Sequence, residues 1–254
     1  MSTDDVPRVD YETHGVTYTR HRRPDPRIAA TIRAALGDVR TVVNVGAGAG
    51  SYEPADLDVT AVEPSAVMRG QRPPGSAPVI DARAESLPFE DDSFDAAMAC
   101  ITIHHWDPPE AGLAEMRRVA RGPVVVFTMD LDALPEWQKD HMREGLEIER
   151  PRFPTIERVV RALGGRTRVE HVPTPGDCVD GFFEAFWRRP EAWLDPTVRA
   201  SQSCWALLPP GVEERIVERL RADLESGEWD RRHGHLREQD SLDGSLRLVI
   251  SEPQ

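Results

Sequence analysis

The sequence predicts an α/β protein built on a doubly wound, seven-stranded sheet covered by helices on both faces. Three observations predict it. Strand-like and helix-like patterns alternate along the 254 residues, a β-branched run at 41–45 opens into a loop with glycines at 46, 48 and 50, and a second β-rich run ends on the acid Glu63. Loops of this kind follow the first strand of sheets that bind ligands at the carboxyl ends of their strands.

The elements follow in order. Residues 27–36 read as a helix closed by Gly37, and 41–45 as the first strand. Further strands are expected at 59–62, 78–80 and 94–101. Asp107 is expected to cap a helix with prolines at its first positions and Leu113, Met116 and Val119 on one face. A strand at 123–128 and a helix at 135–147 come next, then a turn at 150–154 and a helix at 155–163 stopped by Gly164 and Gly165. Residues 166–172 and 245–250 read as the last two strands. The organisation expected is an arm at 1–26, a sheet domain at 27–172 and 245–254, and an inserted helical cap at 173–244.

The glycine loop carries chemistry. Glycine at alternate positions lets the backbone turn tightly and approach a ligand with its N–H groups exposed. Glu63 is placed to accept hydrogen bonds from both hydroxyls of a ribose. Dinucleotide sites favour G-x-G-x-x-G opening a full helix, with the acid about 20 residues on. Here the third glycine comes one residue early, seventeen positions separate Gly46 from Glu63, and Pro54 truncates the intervening helix. That spacing favours S-adenosylmethionine, whose sulfonium needs no helix N-terminus to neutralise a pyrophosphate.

The segments that follow agree. Glu63-Pro64-Ser65, Met68, Ala84-Glu85-Ser86-Leu87-Pro88-Phe89, and Asp92-Ser93-Phe94-Asp95 leading through an apolar run to His104-His105-Trp106 come in sequence. Over roughly residues 40–130 the chain resembles the class I S-adenosylmethionine-dependent methyltransferases, in particular the ubiquinone/menaquinone-biosynthesis-like small-molecule group (methyltransferase type 11). The resemblance implies a Rossmann-like, mostly parallel sheet with an antiparallel edge strand. It implies a glycine loop, Gly46, Ala47, Gly48 and Gly50, around the methionine part of the cofactor, and Glu63 on the ribose. It places Ala84 and Glu85 on adenine, and it counts Asn44, Pro64, Met68 and Ile101 among the cofactor contacts.

Two positions depart from the family pattern. Position 44 is Asn where an acid usually helps to hold the cofactor's amino group, and position 83 is Arg where an Asp often approaches adenine. Asn44 still offers an acceptor. The shortened first helix leaves one side of the cofactor less covered, and residues 11–23 are expected to fold over it, with Tyr18 in contact and Arg22 pairing the cofactor carboxylate. The alternative for this arm is a solvated segment.

Methyl transfer is an in-line displacement, so the protein aligns the nucleophile and, where needed, removes its proton. His104 and His105 lie at the carboxyl end of the fourth strand, and His105 is the preferred base, with Trp106 shaping the acceptor pocket. The alternative is that one histidine shapes the loop and the other is exposed. Phe182, Phe183, Phe186 and Trp187 are expected to line the acceptor side of the cap, or else to attach the insertion to the sheet domain. Residues 212–225 form an amphipathic helix packing through Val212, Ile216, Leu220 and Leu224.

Composition excludes several functions. A net charge of −13 argues against a nucleic-acid partner, because phosphate binding needs a concentrated basic surface. The acidic N-terminus does not read as a signal peptide, and no apolar run approaches the length of a membrane span, so a cytoplasmic monomer or homodimer is expected. The cysteines at 100, 178 and 204 have no metal-like spacing and read as free thiols, and no metal site is expected. The reading is S-adenosylmethionine-dependent O-, N- or C-methylation of a small-molecule acceptor. Its alternatives are a same-fold enzyme with non-methylating chemistry and a non-catalytic cofactor-binding regulatory protein.

Overall fold

The computed structural model describes residues 21–253. Its strands, in chain order, are β1 (Thr41–Val45), β2 (Asp58–Val62), β3 (Val79–Ile80), β4 (Ala96–Cys100), β5 (Val124–Met129), β6 (Arg166–His171), β7 (Thr174–Pro175), β8 (Ser241–Leu242) and β9 (Leu246–Glu252). The chain forms two compact units, one of residues 24–130, 153–172 and 246–253, the other of residues 21–23, 131–152 and 173–245.

The first unit is built on a seven-stranded sheet ordered β3-β2-β1-β4-β5-β9-β6. Strands β1 to β5 pair in parallel, and β9 runs antiparallel to both β5 and β6. The central strands are apolar on both faces because helices cover both: β5, Val-Val-Val-Phe-Thr-Met, is buried at every position. Outermost β6 is largely exposed and carries Arg166, Arg168, Glu170 and His171, charges that suit an edge strand. The order reverses between β1 and β4, which makes the carboxyl ends of those strands the place where a sheet of this kind takes a ligand.

Local chemistry fixes the helices. Asp25, fully buried, caps helix Pro26–Leu36 by accepting from Arg27 N at 3.0 Å, and Ile28, Ile32 and Leu36 form the buried stripe. Helix Ile156–Leu163 starts on Thr155, which accepts from Arg158 N, and ends on Gly164 at φ 60°. The helix expected to start on Asp107 runs Pro109–Val119 with Pro108 at the cap position, and the Asp107 N–H instead donates to Glu85 Oε1 at 2.6 Å. The strand expected at 94–101 is shorter, because Phe94 makes only an isolated bridge to Ala120 and Ile101 turns to φ 47°.

The second unit differs most from expectation. Residues 131–152, read in the sequence as part of the sheet domain, cluster with 173–245. The helix expected at 135–147 is two, Glu136–His141 and Arg143–Glu149, broken at Met142 with ψ 21°. A Cβ on Gly145 would stand 2.5 Å from Met142 Sδ, so the glycine makes room for the buried Met142 side chain at the break. The insertion is less helical than expected, with short 3₁₀ turns and the antiparallel β7–β8 pair, which brings its two ends together. Its helix Val212–Glu225 buries Val212, Ile216, Val217 and Leu220, while Leu224 stays partly exposed.

Tryptophan holds that unit together. Trp137 packs against Trp193 at 4.7 Å and Trp229 at 5.8 Å, and Trp193 meets Trp205 edge-on at 5.3 Å. Trp137 Nε1 donates to the Trp187 carbonyl at 2.7 Å. Five of the chain's six tryptophans are thereby committed to this interior.

Candidate active site

The segment after β1 forms no helix. Residues 46–57 are turns and irregular loop, with Gly46, Gly48 and Gly50 at φ 69°, 52° and 93°. The sequence pointed to a truncated helix there; the left-handed glycines, Pro54 and Tyr52 at φ 65° leave none. Buried Tyr52 sets its ring edge-on to Phe127 of β5 at 5.7 Å and so folds the loop back onto the sheet. Gly46 N and Ala47 N both donate to the Val62 carbonyl, at 2.9 and 3.0 Å, joining the loop to the end of β2.

Glu63 stands at that end, 8% exposed. Its Oε2 accepts from Gly48 N at 2.8 Å and its Oε1 from Ser65 N at 2.9 Å, which leaves lone pairs for two more donors. Burial pushes its carboxyl above the ordinary value, opposed by the Ser65 and Gly48 N–H groups and then by the Arg69 and Arg72 charges. Pro64 and Ser65 lead into helix Ala66–Gly70, capped by Ser65 Oγ accepting from Met68 N at 3.2 Å. Buried Met68 lies against the loop: a Cβ on Gly48 would come within 3.3 Å of its Cε.

Beneath the loop is a polar cluster. Asn44 on β1 donates from Nδ2 to Glu53 Oε1 at 3.1 Å, and Arg72 Nη2 donates to both Glu53 oxygens, at 2.9 and 2.7 Å. Arg72 also reaches the Ala77 carbonyl, and its side chain is 4% exposed. Asn44 is buried, and its Oδ1 has no hydrogen-bond partner among the described residues. Burial pushes the Cys100 thiol far up, and the neighbouring Glu53 charge adds to it.

The stretch 84–89 is tied down from several sides. Leu87 N donates to Glu115 Oε2, while Glu85 pairs with exposed Arg83 at 3.3 Å and accepts from Asp107 N. Ala84 and Leu87 are buried in the sheet unit's apolar cluster.

Past β4, Ile101 holds positive φ, its N–H donating to the Phe127 carbonyl at 2.7 Å. For a β-branched residue that conformation is strained, a feature that concentrates at functional sites. Thr102 fills the space beside Gly46, and Ile103–His105 forms a 3₁₀ turn. His104 is buried and stacks on Phe153, centroids 4.1 Å apart and planes at 10°; the His105 ring is tilted against it at 3.9 Å and is partly exposed.

The expected site residues therefore divide. Asn44, Gly46, Ala47, Gly48, Gly50, Glu63, Pro64, Met68, Ile101, His104 and His105 fall on the ends of β1, β2 and β4 and the segments that follow them, and Ala84 and Glu85 on the loop after β3. Trp106, expected to shape an acceptor pocket, instead packs over Gly112 in the apolar cluster with Leu113 and Met116, because only glycine leaves room for its ring. Phe182, Phe186 and Trp187 are buried, and Phe183, partly exposed, packs against Trp193 at 4.8 Å. Arg22, expected to meet the cofactor carboxylate, donates from Nε to Asp180 Oδ1 at 2.8 Å, the two side chains 9% and 1% exposed. Tyr18 lies outside the described residues. Sequence reasoning missed Tyr52, Glu53, Arg72, Thr102 and Phe153. For Glu53 and Arg72 the signal was an acid inside a loop too short for its helix and an arginine soon after Met68.

Comparison with known proteins agrees with this architecture. Residues 43–126 match the family model described as "Methyltransferase domain". A protein of Anabaena variabilis, assigned as a methyltransferase of an antibiotic-biosynthesis pathway, is 33% identical, with a TM-score of 0.85 over 91% of this chain and 98% of its own. The chain belongs to the class I S-adenosylmethionine-dependent methyltransferases. The demethylmenaquinone methyltransferase of Renibacterium salmoninarum is 32% identical over 134 residues, 50% of this chain and 56% of that protein, so this chain spans about half the length of the curated relative it matches. The geranyl diphosphate C-methyltransferase of Streptomyces coelicolor, solved with S-adenosylhomocysteine, shares the fold at 15% identity and a TM-score of 0.51, over 90% of this chain and 77% of its own.

The cofactor of this methyltransferase is S-adenosylmethionine, and the residues fit it. Glycines at positive φ form a cradle that side chains would crowd, Glu63 keeps free lone pairs, and Asn44 holds an unpartnered buried acceptor. Among the described residues no helix is long and apolar enough to cross a membrane, and no cluster of His, Cys, Asp and Glu could hold a metal ion.

Proposed function

We propose that this methyltransferase methylates a small, partly apolar molecule at oxygen, nitrogen or carbon, with the cofactor held by Gly46, Ala47, Gly48 and Gly50, Glu63 and Met68, and Ala84 with Glu85. The observation that carries the assignment is the junction of loop and acid, where Gly48 N–H is bonded to Glu63 and Gly46 N–H to the end of β2. When bound, S-adenosylmethionine supplies an electrophilic methyl group. The protein's part is to hold the acceptor in line with it and, for a protonated acceptor, to take the proton. Names of relatives support a small acceptor: one is named for demethylmenaquinone, the other for an antibiotic pathway.

Of the two histidines, His105 is the candidate base. Stacked and buried, His104 reads as the support that orients its neighbour, whereas partly exposed His105 can exchange a proton through its imidazole. Phe183 is the remaining candidate in 182–187 for an acceptor contact. The cap role of 173–244 and a cytoplasmic monomer or homodimer without nucleic-acid or membrane partners are kept as part of this proposal; of the arm expected at 1–26, residues 1–20 lie outside the described residues and 24–26 belong to the sheet unit.

Calorimetric titration with S-adenosylmethionine and S-adenosylhomocysteine, with NAD as control, tests the cofactor site, and an acceptor screen read by mass gain of a methyl group tests the reaction. With an acceptor in hand, His105→Ala is expected to lower kcat by about 10²–10⁴ and leave cofactor affinity unchanged. An unchanged kcat would remove His105 from the chemistry.

A further inference from the structure

Glu53 is not among the residues that hold the cofactor in the proposed site, although the structure invests heavily in placing it. Tyr52 turns the chain at positive φ, Arg72 spans both carboxylate oxygens with one nitrogen, and Asn44 donates to one of them. A Cβ on Gly50 would stand 3.3 Å from Glu53 Oε2 and 3.2 Å from Arg72 Nη1, so the glycine loop lies directly on the pair. Arg72 Nη1 also comes within 3.5 Å of the Gly48 carbonyl. Burying an ion pair of this kind is costly unless geometry and further hydrogen bonds offset it, and a staple for a surface loop would not require it.

The cofactor supplies a reason. Its methionine end carries an α-ammonium, and a cation moved out of water into a cradle needs an anionic acceptor. Position 44 offers only a neutral amide, whose Nδ2 is spent on Glu53 while its Oδ1, buried, has no partner among the described residues. An unsatisfied buried carbonyl oxygen is a cost that a ligand N–H would relieve. With three N–H groups, an ammonium matches one amide oxygen plus a carboxylate beside it. Asp56, the other acid on the loop, is exposed and pairs with Arg33 at 2.8 Å, and Glu63, at the end of β2, is held by two backbone donors and is assigned to the ribose.

We propose that Asn44 Oδ1 and Glu53 together form the receptor for the cofactor's α-ammonium group, with Arg72 as the positioning residue that keeps the carboxylate in place before the cofactor arrives. The negative charge is carried on the loop rather than on β1. This rests on the cofactor site proposed above.

The test is calorimetric binding of S-adenosylhomocysteine and of its desamino analogue, in which hydrogen replaces the ammonium, to the full chain and to two variants whose folding is checked by thermal melting. Glu53→Gln is expected to weaken S-adenosylhomocysteine roughly tenfold, as a charge-assisted bond becomes neutral, and to leave the analogue within about twofold. The double variant N44D/E53Q, which moves the carboxylate to the other member of the pair, is expected to regain most of the loss. Equal weakening of both ligands would make Glu53 a loop staple and overturn the proposal, as would unchanged affinity in E53Q or no recovery in the double variant. Failure of the unaltered protein to bind S-adenosylhomocysteine at all is a different result, because it removes the cofactor site itself.

Discussion

Replacing Glu63 by alanine is expected to weaken S-adenosylmethionine and S-adenosylhomocysteine at least 100-fold, while the sheet stays folded. A carboxylate receiving two ribose hydroxyls makes hydrogen bonds worth about 1.5–3 kcal/mol each, together roughly a 10²–10⁴-fold change in affinity. The substitution also frees the N–H groups of Gly48 and Ser65, so the loop loses its anchor at the same point. Glu63→Gln, which keeps one acceptor oxygen, should fall between. Titration calorimetry measures the loss, and a near-wild-type affinity for E63A would place the ribose elsewhere. The pH dependence gives a second check. Burial is the largest cause and raises the Glu63 carboxyl above 4.5. With the folded value above the unfolded one, Glu63 contributes stability that is present at low pH and lost as pH rises through its folded pKa. Cofactor binding has the opposite sign, since it needs the carboxylate, so affinity should fall as pH drops through that value. E63Q should lack this acid-side loss; an identical pH profile would mean that another group titrates.

The parts of this site that sequence made legible are those in which a residue acts through its own backbone or through near neighbours. The β-branched run into Gly46, the acid closing β2, and the helices at 27–36 and 155–163 are local features, and each begins within one residue or so of its expected place. What escaped depends on partners distant in the chain. Arg22 looked available for a carboxylate until its partner 158 residues on, Asp180, was in place. Trp106 read as a pocket wall because the room for it is made by Gly112, a glycine inside a helix whose only signal is the absence of a side chain. The aromatic run 182–187 has helical spacing, and spacing alone cannot separate rings that line a pocket from rings that form a core. Trp193, the ring partner of Phe183, and Trp137, which donates to the Trp187 carbonyl, lie in the same unit, and Trp137 belongs to a stretch that sequence order assigned to the other one. The missing helix at 46–57 is partly of the same kind: the glycines and Pro54 were legible, whereas Tyr52 against Phe127 and Glu53 against Arg72, contacts 75 and 19 positions apart in the chain, were not.

Among the loop glycines, Gly46→Ala is expected to do by far the most damage, lowering stability by roughly 2–5 kcal/mol and removing detectable cofactor binding. Two effects add at this position. The first is backbone strain, since φ is 69° and a side chain in the left-handed region costs about 1–2 kcal/mol. The second is collision: the new Cβ would stand 2.3 Å from Thr102 Oγ1 and 2.8 Å from its Cγ2. Thr102 is buried and sits between strained Ile101 and the turn carrying both histidines, so it cannot withdraw without moving the end of β4. Gly46 cannot withdraw either, because its N–H is bonded to the Val62 carbonyl one residue before Glu63. Gly48→Ala makes a fair control, with a similar φ of 52° and only the flexible Met68 Cε at 3.3 Å in the way. It should cost little more than the strain alone. The double variant G46A/T102A separates the two effects, since removing Oγ1 and Cγ2 relieves the collision and leaves the strain. Thermal melting and calorimetry on the four proteins decide the matter. Recovery of stability to about the G48A level is expected, and a double variant no better than G46A would show that strain at Gly46, and not its contact with the end of β4, is what only glycine can tolerate.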